Sequence, residues 1–266
     1  MIPTAVATIQ FILFILPRYL VKSAFMLKSS VKFLLQKILG FNNYLFIFSI
    51  FTINRLRWNW HEKEFIFFMN MIPENGHVLD IGSNIGIMAV PLAKRVSKGR
   101  VYSFEPMPQN IKALKRITRY YKLANIDIFE TALGEEKGEL KMVMPVIDNV
   151  KMQGLSHVVQ GDESNEKGIF FSVPVQRLDD FPSLQALPKI DAIKIDVENF
   201  EYYVLRGAHA LLQRHKPIIY CELWDNEKRK LTLDYLQHDF GYHVKIYENN
   251  QLVDYNGQQV SNFILI

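Results

Sequence analysis

The ten residues from His77 to Gly86 constrain the fold of this chain more than any other stretch. They read His-Val-Leu-Asp-Ile-Gly-Ser-Asn-Ile-Gly, an apolar run with an acid near its end, then a Gly-x-x-x-Gly turn and a helical pattern from Ile87 to Val96. Glycines in such a turn let a ligand approach the backbone closely, and the first turn of a helix offers free N–H groups. The stretch therefore predicts a strand, a turn and a helix of an α/β domain, with a ligand bound at the turn.

A second predicted strand, Val101–Phe104, leads into Glu105 about twenty residues after the turn. An acid at that position can hold the two hydroxyls of a ribose, so the two strands predict a pocket for an adenosine-containing cofactor. The turn lacks the third glycine of the dinucleotide-binding pattern, and Asp80 beside Gly82 would repel a pyrophosphate. The residues therefore favour S-adenosylmethionine (SAM), which has a positive centre and no phosphate. The alternatives are an NAD-dependent oxidoreductase and a non-catalytic, membrane-associated binding module.

Strand and helix patterns alternate from about Glu62 onward, which is typical of a parallel sheet with helices on both faces. We predict an α/β fold, a doubly wound, mostly parallel sheet of seven strands with an N-terminal helical appendage. One of the last two strands should be antiparallel, because the linker between them is too short for a helical crossover. The predicted strands are Val78–Ile81, Val101–Phe104, Ile126–Phe129, Ile190–Ile195, Pro217–Cys221, His243–Tyr247 and Asn262–Ile266.

The segment 131–189 interrupts this alternation and is predicted to be an insertion in a domain that spans 58–266. Leu140–Val146 and Ile169–Val175 are apolar enough to form an added antiparallel pair. The polar segment Ile147–Gly168 between them is predicted to be a lid, because long loops in compact domains often bind ligands.

Three carboxylates are candidates for catalysis: Asp196 and Glu222, at the ends of two predicted strands, and Glu198. Ligands of open α/β sheets bind at that edge, so one carboxylate could accept a proton from a substrate hydroxyl. There are two alternatives: two of the carboxylates could hold a divalent cation, or some of them could cap the N-terminus of the next helix. His157 in the lid and His61 are further candidate bases, since histidine titrates near neutral pH.

The N-terminal segment 1–57 is basic and apolar. Residues 1–61 contain seven Lys/Arg and no acid, whereas the remainder carries 24 Lys/Arg and 27 Asp/Glu. A basic patch away from the predicted site argues against a nucleic-acid partner. Two uncharged runs, Met1–Leu16 and Ile38–Asn54, flank a helical pattern with an apolar stripe and a lysine-rich face, which suits an anionic membrane surface. The alternative is that these helices pack on the catalytic domain.

The single cysteine, Cys221, is compatible with a reducing compartment. We therefore expect a cytoplasmic protein, with attachment to the inner face of a membrane as the extension that segment 1–57 suggests.

Several motifs that follow one another in order resemble those of the FkbM-type SAM-dependent methyltransferases. The likeness runs from about residue 62 to the C-terminus. It implies a seven-stranded methyltransferase fold and O-methylation of a sugar or another hydroxylated acceptor, and a lipid-linked glycan fits the basic N-terminus. The motifs are Val78-Leu-Asp-Ile-Gly-Ser-Asn-Ile-Gly86, Phe104-Glu-Pro106, Thr131-Ala-Leu-Gly134, Val175-Gln-Arg-Leu-Asp-Asp180, Ile193-Lys-Ile-Asp-Val-Glu198 and Val204-Leu-Arg-Gly-Ala208.

The resemblance also assigns roles to individual residues. It places Asp196 and Glu198 at the reaction face, and it has one departure, since Asn199 stands where the family usually has glycine. The implied cofactor-binding residues are Asp80, Gly82, Ser83, Asn84 and Gly86 around the methionine part, Glu105 and Pro106 at the ribose, and Thr131 and Ala132 at the adenine.

Overall fold

The computed structural model describes residues 21–57, 62–161 and 166–266. Its helices are α1 Val21–Leu39, α2 Phe41–Arg57, α3 Lys63–Met71, α4 Ala89–Arg95, α5 Pro108–Tyr120, α6 Pro182–Gln185, α7 Glu201–Arg206, α8 His209–His215 and α9 Glu227–Phe240. Its strands are β1 His77–Ile81, β2 Arg100–Phe104, β3 Ile126–Phe129, β4 Ala132–Leu133, β5 Gly138–Ile147, β6 Val150–Lys151, β7 His157–Val158, β8 Gly168–Gln176, β9 Ala192–Ile195, β10 Ile218–Glu222, β11 Val244–Glu248, β12 Gln251–Asp254 and β13 Asn262–Leu265.

The main sheet confirms the predicted α/β fold. Its strand order is β12-β11-β13-β10-β9-β1-β2-β3, and the five strands from β10 to β3 are parallel. β13 runs antiparallel to both of its neighbours, β10 and β11, as predicted for one of the last strands. Apolar side chains on both faces of β1 and β9 fill the core, because helices cover both sides of the sheet.

The described sheet has eight strands, so the predicted number of seven was wrong. The additional strand is β12, which pairs antiparallel with β11 at the edge of the sheet. Asn249 and Asn250 connect the two strands and have φ values of 51° and 65°. Two consecutive residues at positive φ form the tight turn that matches the twist of a hairpin, and asparagine tolerates that conformation.

The insertion forms a second sheet in the order β4-β8-β5-β6, with β7 paired to β5. Its long antiparallel pair, β5 with β8, is the pair predicted from sequence, with Leu140 opposite Val173. Met142, Met144, Val173 and Val175 are buried between this sheet and the main domain. The segment between β6 and β7 is thereby held beside the carboxyl ends of β1 and β2.

Helix α2 packs against the α/β domain. Its residues Ile50 and Ile53 are buried together with Leu114 and Ile117 of α5. The buried hydroxyl of Ser49 donates to the carbonyl oxygens of Leu45 at 2.8 Å and of Ile85 at 3.0 Å. The predicted apolar run Ile38–Asn54 therefore matches the alternative of packing on the domain.

Helix α1 lies next to the insertion and exposes part of its apolar stripe. Phe33, Leu34 and Ile38 are 39%, 53% and 68% exposed. Among the described residues, no single helix is long and apolar enough to cross a membrane. Two helical segments, Ser30–Leu39 and Phe41–Leu56, are together long and apolar enough for a membrane span by length and composition alone, but they are bent by 118° relative to each other.

Candidate functional site

The glycine turn after β1 lies where three parallel strands end. The N–H groups of Gly82 and Ser83 both donate to the carbonyl oxygen of Phe104 on β2, at 3.0 and 3.1 Å. Gly82 has φ +72°, and a Cβ atom there would lie 1.9 Å from the carbonyl oxygen of Asp196, which follows β9. Only glycine allows this approach, so the turn is packed directly against the predicted catalytic strand.

Glu105 occupies the position predicted for ribose binding. Its carboxylate accepts hydrogen bonds from the N–H of Asn84 at 2.8 Å, the N–H of Met107 at 2.9 Å and the amide of Asn110 at 3.2 Å. Burial raises the pKa of Glu105 to about 7, although these hydrogen bonds favour the charged form. A buried acid held on one side by backbone is preorganised to bind hydroxyl donors on the other.

A cleft with about 630 Å³ of open space lies between the turn and the insertion. Three amide oxygens on its walls are buried without a hydrogen-bond partner: those of Asn84, Asn110 and Gln153. Buried acceptors are rarely unpaired, so three of them in one cleft indicate a ligand that supplies N–H or O–H donors. Among the predicted cofactor residues, the cleft is also lined by Gly82, Glu105, Pro106, Thr131 and Ala132.

Asp80 lies below the cleft and does not line it. Its carboxylate is fully buried, and the ammonium group of Lys194 on β9 lies 3.7 Å away. Lys194 also donates to the carbonyl oxygen of Gly82 at 2.9 Å and lies 3.8 Å from the carboxylate of Asp196. Burial raises the pKa of Asp80, and the Lys194 charge opposes that rise. Asp80 thus supports the turn through Lys194, and its contact with the methionine part stays a prediction.

Ser83 and Gly86 also shape the turn. Ser83 is buried, and its hydroxyl donates to the carbonyl oxygen of Asp80 at 2.7 Å. Gly86 has φ +85°, and a Cβ there would lie 2.7 Å from a methyl group of Ile117. Both residues therefore fix the backbone between β1 and α4.

The structure brings the three candidate carboxylates into one electrostatic cluster. Asp196 and Glu198 line the cleft, whereas Glu222 does not. Burial raises the pKa of Glu198 to about 8, and the charges of Asp196 and Glu222 add to the rise. Burial and Asp196 likewise raise the pKa of Glu222. Such carboxyl groups take up protons more readily than exposed ones, as proton transfer near neutral pH requires.

The loop that carries these acids has unusual backbone angles. Glu198 and Asn199 have φ values of 53° and 72°. Asn199 adopts the left-handed conformation that glycine prefers and asparagine tolerates, so the departure from the family pattern is compatible with the same backbone. Glu201 stabilises this loop, because its carboxylate accepts hydrogen bonds from Val197 at 3.0 Å and Asn199 at 3.3 Å.

The structure does not bring His157 into the cleft. Its neighbours Ser156 and Val158 line the cleft, so the alternation along β7 directs His157 to the other side. Its ring nitrogens contact the carbonyl oxygen of Leu155 at 2.9 Å and the carboxylate of Glu166 at 3.2 Å. His61 lies outside the described residues. Within those residues, no group of three His, Cys, Asp or Glu side chains is arranged to hold a metal ion.

A second, more open cavity, with about 850 Å³ of space that includes open solvent, meets the first at Gly82, Asn84 and Asp196. Thr52 and Arg55 of α2 form part of its wall, and Lys194 lies at its floor. In the described part of the chain, no carboxylate lies within ion-pair distance of Arg55.

The sequence analysis did not predict Lys194, Asn110 or Gln153 as site residues, nor the wall that α2 gives to the second cavity. A lysine inside the apolar strand Ala-Ile-Lys-Ile was the available signal for Lys194.

Comparison with known proteins places this chain in a protein family. Residues 80–244 match the family model described as the methyltransferase FkbM domain, which is more than half of the chain. Methyltransferase 1 of Beauveria bassiana is 24% identical over 151 residues, which cover 51% of this chain and 59% of that protein. Methyltransferase sdnD of Sordaria araneosa is 24% identical over 199 residues, which cover 65% and 76%.

The fold has a counterpart among solved structures. The crystal structure of methyltransferase FkbM from Methylobacillus flagellatus KT superposes with a TM-score of 0.51 at 15% identity. The match covers 91% of this chain and 60% of that one. The chain thus spans about three fifths of the length of this structure and of the Beauveria relative.

Proposed function

The chain belongs to the FkbM methyltransferase family, and from that premise we propose that it transfers the methyl group of SAM to a hydroxyl of a sugar or glycan-type acceptor. The observation that carries the proposal is the cleft with Glu105 and the three unpaired amide oxygens, joined at Asp196 to the second cavity. One cavity would take the cofactor and the other the acceptor. The two would meet at Asp196, two residues from Glu198, where a hydroxyl must lose its proton.

The donor set of SAM fits the residues of the cleft. SAM offers ribose hydroxyls, an adenine amine and an ammonium group, and the cleft offers the carboxylate of Glu105 with the amide oxygens of Asn84 and Asn110. When bound, it supplies an electrophilic methyl group on a sulfonium. NAD fits less well, because the turn lacks the third glycine of the dinucleotide-binding pattern, and the acids Glu105 and Asp196 line the cleft where a pyrophosphate would need positive partners.

The carboxylates would hold and deprotonate the acceptor hydroxyl. We assign the role of proton acceptor to Glu198, because its side chain lines the cleft and its raised pKa of about 8 lies near neutral pH. Asp196 lies where the two cavities meet and would orient the hydroxyl. Transfer forms the new oxygen–methyl bond, breaks the sulfur–methyl bond and leaves the hydroxyl proton on Glu198. Alignment of the reacting atoms would be the main contribution of the protein.

The second cavity supports a polar acceptor. The hydroxyl of Thr52, the guanidinium of Arg55 and the carboxylate of Asp196 surround it, and these groups can bind the several hydroxyls of a sugar. The proposal of a lipid-linked acceptor rests on α1. Its exposed apolar residues Leu34 and Ile38 lie within about one helical turn of the basic and exposed Lys37.

Calorimetry with SAM, S-adenosylhomocysteine and NAD tests the cofactor, and we expect the first two to bind and NAD to give no heat. Tritiated SAM incubated with glycan and lipid fractions then tests the acceptor. We expect label in a glycan-containing fraction and a loss of labelling in Glu198→Gln, with SAM binding unchanged. Tight NAD binding without SAM binding would refute the proposed function.

Flotation with anionic vesicles tests the membrane proposal. The pair Leu34→Glu and Ile38→Glu is preferable to deletion of the N-terminus, because deletion would remove the buried residues of α2. We expect the full chain to float and the double variant to remain in solution. Equal behaviour of the two proteins would refute membrane binding through α1.

A further inference from the structure

The segment from Met152 to Ser156 joins β6 to β7 and covers the first cavity. Its backbone is held at both ends, since the N–H of Met152 donates to the carbonyl oxygen of Pro145 at 2.9 Å and His157, the next residue after the segment, pairs with Val143 of β5. A Cβ atom on Gly154 would lie 4.0 Å from the side-chain nitrogen of Asn84. The segment therefore stands directly over the glycine turn.

Gln153 is the residue of this segment that points to a ligand. Its side chain is 5% exposed, lines the first cavity, and has an amide oxygen with no hydrogen-bond partner. Among the described residues, none hydrogen-bonds the amide oxygen of Gln153, so an apolar residue of the same size would avoid the cost of the unpaired oxygen. Gln153 lines the cavity of Glu105 and Asn110 and not the one next to Arg55. Its partner would therefore belong to the nucleoside part of the cofactor.

Helix α1 holds the strand that leads into this segment. The side chain of Gln36 makes two hydrogen bonds to the backbone of Lys151, donating to its carbonyl oxygen at 3.0 Å and accepting from its N–H at 3.1 Å. The ammonium of Lys32 also lies 3.4 Å from the sulfur of Met152. Gln36 thus pairs with the edge of β6 as another strand would, two residues before Gln153.

We propose that Gln153 is a cofactor-binding residue supplied by the insertion, and that Gln36 is its positioning residue. The amide of Gln153 hydrogen-bonds the nucleoside part of SAM, and the contacts of α1 with Lys151 hold the segment over the glycine turn. The proposal rests on the proposed function, because it needs SAM in the first cavity. It gives α1, which precedes the matched family domain, a role in cofactor binding.

The test compares Gln153→Leu, Gln36→Leu and the double variant with the unchanged chain. Gln160→Leu is the matched control, because Gln160 lies nearby in the sequence, is exposed and bonds Lys228 outside the cleft. Dissociation constants for SAM and for methylthioadenosine, which keeps the nucleoside and the methylthio group but lacks the aminocarboxypropyl chain, are measured by calorimetry. Thermal unfolding of each ligand-free protein is measured in parallel.

We expect Gln153→Leu to weaken SAM and methylthioadenosine by the same factor, about tenfold for one lost hydrogen bond in a buried site. Its ligand-free melting temperature should be unchanged or higher, because the unpaired oxygen is gone. Gln36→Leu should weaken binding by about threefold to tenfold, and the double variant should bind like Gln153→Leu alone, because Gln36 acts through that contact.

Two kinds of result would overturn the proposal. If the unchanged chain binds SAM and Gln153→Leu binds it equally well, Gln153 is not a cofactor residue, although the proposed function stands. If Gln36→Leu and Gln153→Leu weaken binding additively, Gln36 does not act through Gln153. Absence of SAM binding by the unchanged chain would instead refute the proposed function, so the two failures are distinguishable.

Discussion

The substitution Gly82→Ala tests whether the site is organised by the contact between the glycine turn and the loop that carries Asp196 and Glu198. The new Cβ would lie 1.9 Å from the carbonyl oxygen of Asp196, whereas real Cβ atoms essentially never approach closer than 3.0 Å. The carbonyl would have to move by about 1 Å, and overpacking of this kind costs about 1–3 kcal/mol. Alanine at φ +72° adds about 1 kcal/mol, because a left-handed backbone crowds the Cβ.

Gly241→Ala separates these two costs. Gly241 has φ +73° and nothing within 4 Å of its would-be Cβ, so alanine there meets only the backbone cost of about 1 kcal/mol. Urea unfolding of both variants should show Gly82→Ala less stable by about a further 1–3 kcal/mol. Calorimetry should show weaker SAM binding in Gly82→Ala only. Equal unfolding free energies with unchanged SAM affinity would refute the reasoning, since the loop would then have moved without consequence.

Three further predictions follow from the buried charges and the catalytic loop. Burial raises the pKa of Glu201 to about 7, so its contribution to stability is full below about pH 4.5 and is lost as pH rises through 7. Glu201→Gln should therefore flatten the fall of unfolding free energy between pH 5 and 7 by up to about 1.4 kcal/mol per pH unit, measured by urea titration, and an unchanged slope would contradict this. Lys194→Met should cost about 3–5 kcal/mol by leaving Asp80 without its cation, and adding Asp80→Asn should recover part of the loss in thermal and urea unfolding. Asn199→Gly should change stability by less than about 1 kcal/mol, because relief at φ 72° offsets the lost hydrogen bond from Asn226, and a larger loss by urea unfolding would show that the asparagine side chain is needed.

The parallel core of the sheet was predictable from sequence for a physical reason. Strands that are buried on both faces have short apolar runs in their sequence. β1, β2 and β9 each have such a run, followed by an acid or a turn. The edge strand β12 escaped prediction because Gln-Leu-Val-Asp is short and half polar. Its signal was the Asn249-Asn250 turn, which is local and recognisable, rather than hydrophobicity.

Composition alone could not decide whether α2 packs on the domain or lies in a membrane. An apolar helix buried against a domain and one that lies in a membrane carry the same residues, so Phe41–Arg57 was ambiguous. The distinction lies in its partners Leu114 and Ile117, which only the tertiary structure brings to it. The wall that Thr52 and Arg55 give to the second cavity was hidden for the same reason.

The candidate site was predicted where a motif fixes the backbone and missed where long-range contacts decide. Gly82 and Glu105 lie at the cleft because strand ends and tight turns place them there. The lysine inside the apolar strand signals a buried charge at Lys194, but its partner Asp80 lies more than a hundred residues earlier, so no local pattern identifies that pair. His157 was a reasonable candidate in a lid, yet the two-residue period of β7 directs it away from the cleft.

The packing of α2 also sets an order of events during synthesis. Ile50 and Ile53 leave the ribosome about sixty residues before Leu114 and Ile117, which at 5–20 residues per second is an interval of about 3–12 seconds. Throughout that interval the apolar side of the helix has none of these partners. Nascent chains in this state are substrates for chaperones and are prone to aggregate. The element that walls the second cavity thus cannot complete its packing until α5 has been synthesised.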